Sequence, residues 1–217
     1  MDRRGRGASG DAPDYDLARE YEDVAAVVDE VAEASGTPVN LYGHSHGGIV
    51  AFGAATLTSN VRKLVLYEGW PVPNPAVFAL PAEVEERMEA LLAGGARDAV
   101  VETLFRELEL MSDEDMNAFK AAPSWPGRVA AAHTITREVR AETGARLDPE
   151  LAGRITVPVL LLTGEDSSDP SKADIEAVAA ALPDARIVVI EGQEHVADVL
   201  VPKVFAEHVL EFLRDQR

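Results

Sequence analysis

The chain contains no cysteine, which excludes disulfides and thiolate metal ligands. It is also poor in positive charge. Twenty Lys and Arg stand against 38 Asp and Glu, for a formal net charge of −18 at pH 7. A surface of that sign repels nucleic acid and anionic membranes at long range, so neither is expected as a partner. No apolar run is long enough to span a bilayer. The opening residues 1–7, with Arg3, Arg4 and Arg6, lack the apolar stretch of a secretory signal. A cytoplasmic protein is the expectation. The arginine cluster itself reads as a solvated loop rather than an anion site.

What the chain does have is 217 residues and 47% apolar content, enough for one compact domain with a core of its own. Residues 1–15 read as loop. A helix is predicted from about Asp16, which can cap it, with Leu17, Tyr21, Val24, Val28 and Val31 recurring at helical spacing. Ser35, Gly36 and Pro38 end it. Residues 39–42 read as a short buried strand, and residues 49–58, small and apolar, as a helix packed close to a sheet. Further strands are predicted at 63–67, 157–163 and 186–190. The stretch 81–143 carries only helical stripes, the last of them one helix over about 125–140. Ile175, Val178, Ala179 and Leu182 mark another helix, and residues 202–213 a terminal one opened by Pro202. Apolar strands alternating with helices indicate an α/β fold: a mostly parallel sheet covered on both faces. The expected division is a core of 1–75 and 148–217, with 76–147 inserted as a helical unit.

The chemistry lies between the first strand and its following helix, in Gly43-His44-Ser45-His46-Gly47. A serine hydroxyl needs a base to take its proton and donors to hold the oxyanion that forms. G-x-S-x-G on a sharp strand-to-helix bend presents a serine for that work, with glycines on either side to let the backbone pass. Both the strand and the helix are present here, which marks Ser45 as the nucleophile. The backbone N–H of His46 is then one oxyanion donor, helped by the helix N-terminus.

With this motif and this order of elements, the chain resembles the α/β-hydrolase family, with a helical cap inserted after the strand that follows the nucleophile. The resemblance implies a base histidine in the loop after the last strand, where His195 stands. It implies an acid in the loop after the penultimate strand, where Asp166 stands first by motif position. Some relatives, such as haloalkane dehalogenases, take the acid from the end of the strand after the nucleophile. Glu68 holds that place and is the alternative. His44 and His46 flank the serine and are candidates to line the pocket, as are Trp70 and Trp125. His133 and His208 are expected at packing or surface positions.

Residues 2–10 resemble the family's loop after its fourth strand, and no counterpart of the earlier strands is found upstream of Ser45. The loop that normally holds the second oxyanion donor belongs to that earlier part. Two expectations follow. The strand at 39–42 becomes an exposed edge, inviting self-association. Losing one oxyanion donor raises the barrier by about 2.7–4 kcal/mol, so catalysis would be weak. The alternative is that Met1 is not the native start. The expected function is a serine hydrolase acting on an ester or similar small carbonyl substrate through an acyl-enzyme on Ser45. The competing readings are a degenerate, non-catalytic interaction protein and a cofactor-free perhydrolase or lyase. No cofactor is expected, and no metal site, because the histidines lack ligand spacing.

Overall fold

The computed structural model of the chain describes residues 1–12, 14–108 and 111–215, with only the backbone described at Pro170 and Ser171. Pro13, within the predicted opening loop, and Glu109 and Leu110, within the predicted helical stretch, lie outside the described residues.

Four parallel strands form one sheet in the order β1 (Val39–His44), β2 (Val61–Tyr67), β3 (Val159–Gly164), β4 (Ala185–Ile190). Parallel strands need crossovers. Helix α1 (Leu17–Ser35) precedes β1, and α2 (His46–Ala55) joins β1 to β2. Between β2 and β3 come α3 (Ala82–Ala93), α4 (Arg97–Glu107), α5 (Asp113–Ala121), α6 (Trp125–Ala130), α7 (Ile135–Glu142) and α8 (Pro149–Ala152). Helices α9 (Asp169–Lys172) and α10 (Ile175–Ala181) join β3 to β4. The chain continues through α11 (Ala197–Leu200) into α12 (Pro202–Arg214).

The period of two along β2 and β3 sorts side chains onto two faces. Leu64, Leu66 and Leu161 pack with α1, α2 and α10, while Val65, Tyr67, Leu160 and Leu162 pack with Phe205 and Phe212 of α12. Helix α2 is buried on nearly every side, which its small residues permit; Gly53 lets the Tyr21 ring of α1 sit against it. A third apolar cluster joins Val84, Met88, Val101, Phe105, Met116 and Phe119 of α3–α5 to Val196, beside α11.

Several expectations need correcting. Residues 39–42 are not a buried strand: Val39 and Leu41 are half-buried, Asn40 and Tyr42 exposed. Among the described residues β1 pairs only with β2, so it is an edge, and an apolar composition alone does not separate an edge from a centre. The single helix predicted over 125–140 is two. It breaks at a 3-10 turn over Ala132–Thr134, where the Thr134 hydroxyl donates to the Ala131 carbonyl. Arg3, Arg4 and Arg6 are not a solvated loop. Arg3 pairs with Glu20 (2.9 Å) and Glu138 (3.1 Å), Arg4 with Asp23 (2.6 Å), and Arg6 with Glu138 (2.6 Å). No helix among the described residues is long and apolar enough to cross a membrane.

Candidate active site

Because the strands run parallel, their carboxyl ends share one edge of the sheet, and side chains just beyond them converge. His44 ends β1 beside Tyr67, which ends β2 beside Leu162 of β3. The next residues, Ser45 and Glu68, are both in the positive-φ region (54° and 43°), a conformation costly outside glycine and concentrated at functional sites. The Ser45 N–H donates to the Tyr67 carbonyl (2.8 Å), and the Ser45 carbonyl accepts from Gly48 (2.7 Å), so the bend is tied at both ends.

Close approach, rather than the spacing of the motif, decides which glycines this bend needs. A Cβ on Gly48 would lie 2.3 Å from the backbone oxygen of Gly69, whereas one on Gly47 would meet nothing within 4 Å. Of the two motif glycines, Gly43 is needed, since a Cβ on it would lie 2.3 Å from the Gly47 carbonyl oxygen; Gly47 is not, and the second close approach falls at Gly48, where α2 crosses the turn after β2. Gly48→Ala is therefore expected to destabilise by at least about 2 kcal/mol, since a backbone carbonyl cannot swing aside. Gly47→Ala should leave the urea midpoint unchanged or slightly raised. Urea denaturation of the two variants checks this.

Glu68 is buried, and so is His195. Oε2 of Glu68 lies 2.7 Å from Nδ1 of His195. Its Oε1 accepts from the Thr163 hydroxyl (2.9 Å), the Gly164 N–H (2.6 Å) and the Ser167 hydroxyl (2.6 Å). Burial pushes the Glu68 carboxyl up, but the bond and charge of His195, with the Ser167 and Gly164 donors, outweigh it and hold the pKa below its ordinary value. An ionised carboxylate only accepts, so Nδ1 of His195 carries a proton. Asp166, ranked first by motif position, is exposed, and its backbone N–H donates to the Gln193 carbonyl (3.0 Å). Of the two candidate acids, the structure brings Glu68 against the His195 ring. The loop after β3 supplies donors to the carboxylate, and the carboxylate comes from β2, the strand between β1 and β3.

Ser45, His195 and Glu68 line one cavity of about 450 Å3 with His44, His46 and Gly47. The His46 N–H, in the first turn of α2, meets no acceptor among the described residues. Apolar walls come from Phe78, Val101, Leu104, Phe105 and Ile135. Trp70 and Trp125 do not line it. Trp70 is in the sheet core, its Nε1 donating to the Ala173 carbonyl (3.0 Å), and Trp125 stacks edge-on against Phe119 at 5.6 Å.

His44 has a second duty that its flanking position did not signal. Its Nε2 lies 2.8 Å from the His195 carbonyl, and its ring stacks on Tyr67 at 4.7 Å. The Tyr67 hydroxyl donates to the Glu194 carbonyl and accepts from the Ala197 N–H (3.1 Å). Both rings therefore brace the His195 loop. Burial drives the His44 pKa down to about 4. The unfolded chain, with its His44 near the ordinary value of 6.5, binds this proton first as pH falls. Stability is complete above about pH 6.5 and is lost between there and about pH 4, by roughly 3 kcal/mol. Glu138 adds a second loss at lower pH. Burial raises its pKa, yet His46, Arg3 and Arg6 bring it down to about 2 from 4.5. That contribution is present above 4.5 and lost toward 2. Urea unfolding at pH 7 and pH 4.5 should show the His44 loss in the wild type and a smaller one in His44→Gln.

His46 lies on the other side of Ser45. Its Nδ1 is 2.8 Å from Glu142 and its Nε2 2.9 Å from the Tyr15 hydroxyl. Glu20, His46 and Glu138 bring ligand-type atoms within 4.8 Å of one another. Both carboxylates already pair with Arg3, and Glu138 with Arg6, so guanidinium charge stands where a metal's would.

The chain matches the alpha/beta hydrolase family over residues 1–208. It belongs to that family. Among solved structures, an alpha/beta hydrolase from Sphaerobacter thermophilus is 31% identical, with a TM-score of 0.75 over 98% of this chain and 80% of that one. An esterase from Thermogutta terrifontis, at 21% identity, shares the fold with a TM-score of 0.66 over 98% and 78%. A Pseudomonas savastanoi pv. phaseolicola protein with the provisional name carbamate hydrolase RutD is 28% identical over 180 residues, 80% of this chain and 67% of that one.

Proposed function

We propose that this member of the family is a serine hydrolase acting on an ester or similar small carbonyl substrate through an acyl-enzyme on Ser45. The observation that carries the proposal is the buried 2.7 Å bond between Glu68 and His195, at a cavity that Ser45 also lines from a strained bend. In this reading Nε2 of His195 takes the Ser45 proton as Oγ attacks the substrate carbonyl. It then gives that proton to the leaving oxygen or nitrogen. Glu68 fixes the tautomer and stabilises the imidazolium. The His46 N–H donates to the oxyanion, aided by the positive end of α2. Water, activated by the same histidine, releases the acid.

The helices of residues 76–147 act as a cap over a core of 1–75 and 148–217, and their apolar side chains shape the substrate end of the cavity. The carbamate named for the Pseudomonas relative is a carbonyl compound of the same general class. The test is labelling with a fluorophosphonate followed by peptide mapping. One adduct on Ser45, absent in His195→Ala at equal exposure, is expected. A chain that stays unlabelled at millimolar probe supports the degenerate reading instead.

A further inference from the structure

The charges around the cavity do not all cancel. Glu68 is paired with His195, Glu142 with His46, and Glu138 with Arg3 and Arg6. Arg128 of α6 is the cation that remains. It lines the same cavity. Its guanidinium lies over the rings of Phe119 (4.8 Å to the centroid) and Phe105 (5.8 Å). Its Nε is buried without a hydrogen-bond partner, and among the described residues it forms no ion pair. Asp198 is the acid with the largest influence on it; its Oδ2 meets the Tyr42 hydroxyl (3.3 Å) and the His44 ring (3.4 Å), its Oδ1 is buried without a hydrogen-bond partner, and it does not line the cavity.

A part-buried guanidinium whose Nε has no hydrogen-bond partner and which forms no direct ion pair is costly unless something supplies one. Burial lowers the pKa of Arg128, as it does for a cation whose water has been removed and not replaced. The planar fork of an arginine matches a carboxylate in two parallel bonds. Phe105, Leu104 and Val101 of α4 line the same cavity, and Arg6, a second cation of the lining, adds to the positive field at Arg128. The net charge of −18 would repel an anion at long range, so any selection for one must be local.

We propose that Arg128 binds a carboxylate on the substrate, so that this site takes an ester carrying a short apolar stem that ends in a carboxylate. The proposal rests on the hydrolase reading for the word "ester"; the anion site itself does not. The group to be cleaved sits at Ser45, the apolar stem crosses the cavity, and the free carboxylate meets the guanidinium.

The experiment is calorimetric titration of Ser45→Ala protein with two matched ligands, monomethyl glutarate and methyl pentanoate, which differ by a carboxylate in place of a methyl group. The acid is expected to bind at least about tenfold more tightly. Adding Arg128→Met should bring the two affinities within about threefold of each other, and Arg128→Lys should keep part of the preference. Cooperative thermal unfolding of each variant shows whether it is folded, and the lysine variant serves should the methionine one fail. Equal affinities in Ser45→Ala protein, or a preference that survives Arg128→Met, overturn the proposal. Fluorophosphonate labelling of the wild type separates the two ideas. A labelled Ser45 without carboxylate preference sinks this inference alone, and carboxylate preference without labelling sinks the hydrolase reading alone.

Discussion

Ser45→Ala is expected to lower kcat/KM for p-nitrophenyl acetate by at least about ten-thousand-fold, with little change in stability. Alanine keeps the bend's backbone but removes the oxygen that His195 activates in the acylation step of the proposed reaction. The residual rate would come from the His46 N–H and from binding alone. The positive φ of Ser45 (54°) makes a further point. Any L side chain there bears the same strain, so the alanine variant isolates the hydroxyl. Rates with wild-type and variant protein, matched by urea midpoint, check the expectation.

The second large effect separates two carboxylates. Glu68→Gln should lower kcat by about a thousandfold to ten-thousandfold, while Asp166→Asn should stay within about threefold of wild type. The reason is hydrogen-bond counting. Oε1 of Glu68 accepts from three donors and Oε2 faces Nδ1 of His195. A glutamine offers one accepting oxygen and one donating nitrogen. If the oxygen keeps the Thr163, Gly164 and Ser167 donors, the nitrogen faces the imidazole. Nδ1 must then accept, the proton moves to Nε2, and the lone pair that would receive the Ser45 proton is gone. Asp166 is exposed and lies outside this network. Parallel assays of both variants decide between the acids, and a large loss in Asp166→Asn with little in Glu68→Gln would reverse the assignment.

That pair of residues also shows where sequence reasoning reached its limit. The bend at Ser45 was legible because its signals are local: a glycine-rich turn between an apolar strand and a small-residue helix. The same holds for the Asp16 cap of α1, which accepts from the Ala18 N–H (2.9 Å), and for the central strands β2 and β3. Which carboxylate meets His195 was not a local matter. It depends on which strand ends beside the His195 loop, and motif position pointed to the loop that supplies donors to Glu68. The edge position of β1 was expected from the lack of a counterpart for the earlier strands, and it is that position which leaves Asn40 and Tyr42 exposed against the reading of a buried strand. The partners of Arg3 and Arg6 at Glu138 lie more than 130 residues away along the chain. Nothing in the opening residues announced them. Arg128 was invisible as well. A cation's lack of a counter-ion can be seen only once every neighbour is in place.

The central claim is that Ser45 becomes acylated. Rapid-quench mass spectrometry of wild-type protein mixed with p-nitrophenyl acetate tests it most directly, at a pH of about 5 where release of the acid is slowed. The account predicts one acetyl group per chain, mapped to the peptide that holds Ser45, with p-nitrophenolate released in equal amount. Turnover with no acetyl group on Ser45 at any quench time, or with the acetyl group on another residue, would contradict it.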